Sequence, residues 1–198
     1  LSEELEADAK ANFQNYLASV WGRTQAAAEN YYLVASGTGT GMPQSILAGA
    51  TSSGITSASA TAITATELLS LLYKMPDQYS DNMKLVMRRA TLGSLRALTG
   101  KPFSFIPAPA GEGNAMNPGS IHGVPVFCTD AMPAMTATNK AVMVVNPDFY
   151  VIAEREGMTV QRNPWLYQAS GQIGLFAKFR LGGAVLQAEA HYYLTQHS

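Results

Sequence analysis

Two short runs of strand-forming residues lie within residues 146–160, which read NPDFYVIAEREGMTV. Tyr150 to Ala153 is continuously apolar, and the second run, Met158 to Arg162, begins by alternating apolar with polar residues. Both patterns are typical of β-strands at this length. The charged residues and Gly157 between the runs indicate a solvated connection. The stretch therefore predicts two consecutive strands.

Further strands are predicted on both sides of this stretch. Runs of strand length lie at Val124 to Cys128 and Ala141 to Val145 before it, and at Ile173 to Leu181 and Val185 to Tyr193 after it. Gly182-Gly183 separates the last two runs, and glycine supplies the positive φ angles that a tight hairpin turn requires. We therefore predict a β-rich second half that closes with a hairpin at Gly182-Gly183.

The first half of the chain is predicted to be mainly helical. Apolar residues from Ser2 to about Ala35 recur at three- and four-residue spacing. This periodicity indicates one helix on the order of 45 to 50 Å long, at 1.5 Å per residue. Thr64-Ala65-Thr66-Glu67 is a capping box that begins a second helix, which ends before Pro76. We also expect a short strand and a short helix, at Met83 to Met87 and Thr91 to Leu98, the helix ending at Gly100.

Two segments between these elements are rich in Gly, Pro, Ser and Thr. Gly37 to Thr64 is predicted to be loop with one short strand, and Pro107 to Gly123 to be an irregular loop. Gly37-Thr38-Gly39-Thr40-Gly41 follows a helix rather than a strand, so it is a helix exit and not a dinucleotide loop. Helices followed by many strands, without a βαβ repeat, indicate an α+β fold.

The composition describes a globular protein with few charges. Of 198 residues, 47% are apolar and 14% are charged, against roughly 25% charged in average soluble domains. Depletion of charge is typical of surfaces that meet other subunits, although a surface rich in Ala, Ser and Thr explains it equally well. The net charge of −1 gives no basic field for a phosphate backbone, so sequence-specific binding to nucleic acid is disfavoured.

The sequence carries no sign of a membrane span or a targeting segment. It has no run of about eighteen apolar residues and no basic segment followed by an apolar one at the start, so no membrane partner is expected. The chain begins at Leu1 within a charged helical pattern, which is typical of a trimmed chain. Cys128 is the single cysteine and cannot form an internal disulfide, which favours a reducing compartment.

Residues that could carry chemistry are few and scattered. His122, His191 and His197 are not spaced as metal ligands, so neither a metal nor another cofactor is expected. His122 and Cys128 would be the candidate pair for a nucleophilic enzyme, but a turn histidine and a core thiol explain them better. We therefore expect no catalytic residues.

Three carboxylates follow one another closely, as paired catalytic acids do. Asp148, Glu154 and Glu156 lie in predicted strands and turns, with Arg155 between the two glutamates. Solvated strand edges are the better explanation for this arrangement.

An aromatic segment follows the predicted strand pair. Asn163, Pro164, Trp165 and Tyr167 lie between strands, where the chain is expected to turn. An exposed turn rich in aromatic residues is a candidate subunit interface, although a small satellite core is equally compatible with the pattern.

Four blocks of the sequence resemble the tailed-phage major capsid proteins of the Hong Kong 97 fold. The blocks are residues 146–160, GSIHGVPVFCTDAMP at 119–133, FRLGGAV at 179–185 with Glu189-Ala190, and Leu68 to Tyr79 with Ala90-Thr91-Leu92 after it. Each block alone could be an ordinary strand or turn. Their order and separation together carry the resemblance.

The resemblance implies a long spine helix, a peripheral domain with long β-strands and an axial α/β domain. The peripheral domain would comprise residues 1–43 and 149–184, the axial domain 44–148, and a terminal strand at 185–198 would return to the axial domain. Proteins of this family carry an N-terminal arm and a projecting hairpin before the spine helix, and the resemblance begins after both.

The resemblance also implies a function and its partners. The chain would be a structural subunit, not an enzyme, that assembles into the head shell of a bacteriophage or prophage. Its partner would be itself, in pentamers and hexamers, with scaffold, portal and decoration proteins as further candidates. It would be found in the virion, and in the host cytoplasm during assembly.

Three other functions compete with this one. A bacterial nanocompartment shell protein of the encapsulin type shares the fold. A small α+β hydrolase would use His122 and Cys128. An adhesin or sugar-binding module would require a pocket lined by Trp165 and Tyr167.

Overall fold

The structure is a computed structural model that describes residues 3–98, 105–109 and 116–198. The chain divides into two units. Unit 1 comprises Leu1–Glu29 and Ile152–Gly182, and unit 2 comprises Asn30–Val151 and Gly183–Ser198. The chain therefore passes between the units three times.

Helices and strands are mixed in the first half of the chain and strands predominate in the second, which agrees with an α+β fold. The helices are α1 (Glu3–Tyr31), α2 (Ile46–Gly49), α3 (Ala65–Leu72) and α4 (Arg89–Arg96). The strands are β1 (Thr51–Thr56), β2 (Lys84–Met87), β3 (Phe105–Pro107), β4 (Gly119–Ile121), β5 (Val124–Cys128), β6 (Val142–Val145), β7 (Tyr150–Tyr167), β8 (Gln172–Val185) and β9 (His191–Thr195).

The long helix predicted at the start of the chain is confirmed. α1 is continuous over 29 residues and passes into a π-helical turn, Tyr32–Ser36, which ends at Gly37. The predicted first residue, Ser2, lies outside the described residues. Side chains recurring at three- and four-residue spacing along α1, including Leu17 and Trp21, are half-buried, whereas their neighbours are exposed. The burial thus follows the predicted spacing only in part, because Tyr16 and Val20 of the same apolar pattern are exposed.

Unit 1 also contains a long antiparallel ribbon formed by β7 and β8. The two strands predicted at 150–153 and 158–162 are one strand, β7, because the charged residues between them stay in the strand. Glu156 Oε2 lies 3.8 Å from both Lys178 Nζ and Arg180 Nε of β8. These ion pairs explain how a charged residue can remain within the strand.

The hairpin predicted at Gly182-Gly183 is wrong. β8 runs through both glycines to Val185, and neither has a positive φ. The turn lies instead at Gln168–Ser170 and Gly171, where Gly171 has φ 62°. The prediction failed because glycine also occurs where another group approaches the backbone closely.

Unit 2 is built on a seven-stranded mixed sheet in the order β1-β9-β6-β2-β5-β4-β3. β1 pairs with β9, and β2 with β5, in parallel, while the other neighbours are antiparallel. The short strands at the centre are apolar at successive positions, because both faces of the sheet are covered. Leu85 and Met87 of β2 belong to one core cluster and Val86 to the other.

The helices α3 and α4 cover one face of this sheet. Leu68 and Leu71 of α3, with Leu92 and Leu95 of α4, are buried in the larger core cluster. The predicted capping box is present at the start of α3, between Thr64 and Glu67. The smaller cluster on the other face includes Leu47 of the short α2.

Three features of unit 2 differ from the sequence predictions. α2 was not predicted, and β3 and β4 lie partly or wholly in the segment predicted as irregular loop. β9 begins at His191, later than the predicted Val185. The predicted end of α4 at Gly100 lies outside the described residues.

Candidate functional site

The aromatic segment lies at the end of β7 and not in a turn. Asn163, Trp165 and Tyr167 are strand residues, and Pro164 shares their backbone conformation, because the turn begins only at Gln168. The predicted position between strands is therefore wrong by a few residues. The backbone N–H of Trp165 donates to Asn163 Oδ1 at 3.0 Å, which holds the local chain.

The side chains at this end of the ribbon are exposed. Trp165 is 76% exposed, Leu166 53% and Tyr167 49%. Large apolar side chains grouped in this way are typical of surfaces that contact another protein. An exposure of 76% also argues against a pocket wall, so the geometry does not favour the sugar-binding alternative.

The rest of the ribbon adds exposed apolar residues that the sequence analysis did not single out. They are Ile152 and Val160 on β7, and Phe176 and Phe179 on β8. Two strands cannot form a core of their own, so such residues need a further layer to cover them. The sequence pattern of β7 could have predicted these exposed residues. Its apolar residues fall at both odd and even positions, and a strand with a single buried face would carry them at alternate positions only.

α1 contributes a second apolar surface in unit 1. Tyr16 is 63% exposed and Val20 is also exposed, although both belong to the apolar pattern that predicts the helix. Unit 1 therefore exposes aromatic or aliphatic side chains on its helix and on its ribbon.

The two residues of the hydrolase alternative are not brought together. His122 lies in the two-residue turn between β4 and β5, with φ 50°, whereas Cys128 is the last residue of β5. A strand rises about 3.3 Å per residue, so the two ends of β5 are roughly 13 Å apart. This separation exceeds the reach of a hydrogen-bonded pair.

The environment of Cys128 also disfavours a nucleophile. The thiol is buried in the larger core cluster of unit 2. Burial raises the pKa of Cys128, and the positive charge of Arg89 offsets this only in part. A thiol in this setting stays protonated and behaves as a small apolar side chain.

The remaining titratable residues are dispersed. His191 is fully buried at the start of β9, and His197 is exposed near the end of the chain. Asp148 accepts hydrogen bonds from Asn82 Nδ2 at 3.1 and 3.2 Å within unit 2, whereas Glu156 pairs with cations within unit 1. Among the residues that the structure describes, no group of three or more His, Cys, Asp or Glu could hold a metal ion.

No described helix has the length and apolar character needed to cross a membrane.

A layered sheet unit, together with a helix and a ribbon that expose apolar side chains, is typical of a protein that contacts other subunits. The model of the phage capsid family matches residues 1–195, so the chain belongs to the phage capsid family. It is a capsid shell subunit. Proteins of this family are structural components of virions and not enzymes.

Solved structures share this fold over nearly the whole chain. The capsid of an empty GTA particle is 24% identical with a TM-score of 0.80, covering 100% of this chain and 70% of that one. A solved structure from Gordonia phage Cozz is 12% identical in sequence with a TM-score of 0.67, and the matched region covers 100% of this chain and 68% of that one. These similarities confirm the Hong Kong 97 fold.

An encapsulin has a similar fold. The holo-SrpI encapsulin complex from Synechococcus elongatus is 12% identical with a TM-score of 0.68, covering 98% of this chain and 70% of that one. A comparison with curated proteins gives no significant match.

Proposed function

We propose that the chain assembles, through pentamers and hexamers, into the icosahedral head shell of a tailed bacteriophage or prophage. The observation that carries this proposal is the match of the phage capsid family to residues 1–195. A closed shell requires each subunit to expose surfaces that are buried only on assembly. The exposed apolar side chains of the ribbon and of α1 meet that requirement.

We assign the parts of the chain to two domains. Residues 44–148 form the axial domain and residues 1–43 and 149–184 the peripheral domain, while 185–198 return to the axial domain. The place of β9 between β1 and β6 in the seven-stranded sheet supports the last assignment. The grouping of Ile152–Gly182 with Leu1–Glu29 in unit 1 supports most of the peripheral assignment, whereas residues 30–43, 149–151 and 183–184 fall in unit 2 with the proposed axial domain.

We assign the end of the ribbon to a contact between subunits. Asn163, Pro164, Trp165 and Tyr167 form this contact, together with Leu166. Aromatic side chains supply most of the binding free energy at many protein interfaces, and the two aromatic side chains here, Trp165 and Tyr167, are exposed in the isolated chain.

The further partners follow from the same proposal. A scaffold, portal or decoration protein would bind the shell, and assembly would take place in the host cytoplasm before the virion is released. The chain itself would use neither a cofactor nor a catalytic residue.

A nanocompartment shell is the second candidate. The similarity to the SrpI encapsulin supports it, although the TM-score of 0.68 is lower than the 0.80 found for the GTA capsid. The two functions differ in what the shell encloses, because a phage head packages DNA and a nanocompartment encloses protein.

Electron microscopy of the expressed full-length gene product tests the proposal. We expect closed particles of uniform diameter. Particles purified from the natural host should contain nuclease-protected DNA, whereas particles filled with a single protein would favour the nanocompartment. A product that stays monomeric at high concentration, with its fold intact, would contradict both candidates.

A further inference from the structure

The three passages of the chain between the units start from neighbouring residues of unit 2. They lie between Glu29 and Asn30, between Val151 and Ile152, and between Gly182 and Gly183. The residues of unit 2 closest to them in sequence are the π-helical turn Tyr32–Ser36, Tyr150 and the segment beginning at Gly183. Tyr150 and Gly183 are hydrogen-bonded to Gln44, and Gly37, which follows the π-helical turn, lies close to Pro43 O.

Gln44 makes hydrogen bonds to two of these three segments. Its backbone N–H donates to Gly183 O at 2.8 Å, and its carbonyl oxygen accepts from the Tyr150 hydroxyl at 2.6 Å. Its side-chain Oε1 accepts from the backbone N–H of Val185 at 3.2 Å. Burial raises the pKa of Tyr150, so the hydroxyl keeps the proton that it donates.

The loop also reaches the third segment. Gly37 N–H donates to Tyr32 O at 3.0 Å and closes the π-helical turn, and Ser45 N–H donates to Gly37 O at 2.9 Å. Thr38 and Gln44 form an isolated antiparallel bridge. The residue that binds Tyr150 and Gly183 is thus also paired with Thr38, just after the π-helical turn.

Glycine is required at Gly183 because other groups approach it closely. A Cβ atom there would overlap the Tyr150 hydroxyl and would lie 2.8 Å from Leu33 Cδ2. At the adjacent Gly182 a Cβ atom would fit without overlap, since its nearest neighbour would be Ala153 O at 3.6 Å. The close approach explains why glycine occurs at position 183, the second residue of the Gly-Gly pair predicted to form a turn.

We propose that Gln44 is a positioning residue that fixes, within unit 2, Tyr150 and Gly183, the residues beside two of the three points where the chain leaves for unit 1. This role rests on the proposed assembly function for its biological meaning. A closed shell built from one kind of chain requires each copy to present complementary contact surfaces. Gln44 supports this by joining two sequence-distant residues of unit 2, Tyr150 and Gly183, through its backbone.

Hydrogen exchange measured by mass spectrometry tests the role of the side chain. Gln44→Ala removes the acceptor for Val185 N–H, so exchange there should become roughly five- to tenfold faster, as expected for one lost hydrogen bond. The increase should be confined to residues 183–186, because the bonds of Gln44 to Tyr150 and Gly183 use its backbone atoms, which alanine keeps. Gln44→Glu keeps an acceptor oxygen and should restore slow exchange at Val185. Unchanged exchange at Val185 in Gln44→Ala, or an equal increase throughout β2 and β6, would overturn the proposal.

A pair of glycine variants tests the close approach. Gly183→Ala should speed exchange at 149–151 and broaden the distribution of particle diameters, whereas Gly182→Ala should change neither. Equal effects of the two alanine variants would contradict the proposal. If the unmodified chain forms no particles, the assembly function fails, and the exchange measurements still decide the role of Gln44.

Discussion

His191 is a buried imidazole whose environment makes the stability of unit 2 depend on pH. It is fully buried, its Nε2 lies 3.4 Å from Phe149 O, and its Nδ1 has no hydrogen-bond partner among the described residues. Burial lowers the pKa of His191 below its usual value of 6.5, and the contact with Phe149 O offsets this only in part. The folded chain therefore keeps the imidazole neutral where the unfolded chain takes up a proton.

We expect the free energy of unfolding to fall as the pH falls below about 6.5, because only the unfolded state gains the proton there. Above that pH the imidazole is neutral in both states and contributes no pH dependence. Urea denaturation of the unassembled chain between pH 7.5 and about pH 5 measures the effect.

A second histidine provides the control for this prediction. His191→Gln should flatten the pH dependence between pH 7.5 and pH 5, even if it lowers stability throughout. His197→Gln should leave the pH dependence as it is, since His197 is exposed. A pH profile that His191→Gln does not change would show that other groups are responsible.

The start of α3 is an element whose stability depends on two side chains. Thr64 Oγ1 accepts from Glu67 N–H at 3.3 Å, and Glu67 Oε2 accepts from Thr64 N–H at 2.8 Å. Glu67 Oε1 also accepts from Ala58 N–H at 2.7 Å. The capping box therefore joins the helix to the preceding loop as well as satisfying its own first turn.

Thr64→Ala should reduce the free energy of unfolding by about 1 kcal/mol, the usual cost of losing such a cap. Glu67→Ala should cost more, because two backbone N–H groups then lose their acceptor. Thr66→Ala is the matched control, since Thr66 is exposed in the same turn of the helix, and alanine favours a helix. Equal urea midpoints for Thr64→Ala and Thr66→Ala would refute the role of the cap.

Elements with a strong local signal could be predicted, and elements defined by distant contacts could not. The three- and four-residue spacing predicts α1, and the capping box predicts the start of α3, because both depend on neighbours in sequence. β8 continues through Gly182-Gly183 instead of turning there. Glycine is needed at position 183 because the side chain of Tyr150, 33 residues earlier in the chain, approaches it closely. Local sequence carries no information about that contact.

The fold class and the family could be predicted for the whole molecule, whereas the extent of the candidate interface could not. Trp165 and Tyr167 were identified because aromatic residues stand out beside Asn163 and Pro164. The exposed Phe176 and Phe179 of β8 resemble ordinary core residues in the sequence. The structure pairs β7 and β8 in a two-stranded ribbon. A two-stranded ribbon has no core of its own, so it cannot bury Phe176 and Phe179.

The whole-molecule prediction concerns assembly through the end of the ribbon. Trp165→Ala should leave the unassembled chain folded, because an indole that is 76% exposed contributes little to stability in isolation. If that side chain becomes buried between subunits, its loss should cost about 1 to 2 kcal/mol for each contact. The concentration at which particles first form should then rise roughly tenfold or more. Tyr167→Ala should act in the same direction.

Tyr73→Ala is the control for Trp165→Ala, because Tyr73 is 81% exposed, at the end of α3 in unit 2 and away from the ribbon in sequence. Light scattering over a concentration series measures the onset of assembly, and circular dichroism verifies that each variant is folded. An onset raised by Trp165→Ala and unchanged by Tyr73→Ala assigns the effect to the ribbon and not to the loss of any exposed aromatic residue. If Trp165→Ala assembles at the concentration of the unmodified chain, the end of the ribbon does not form the contact, and the apolar residues of α1 become the next surface to vary.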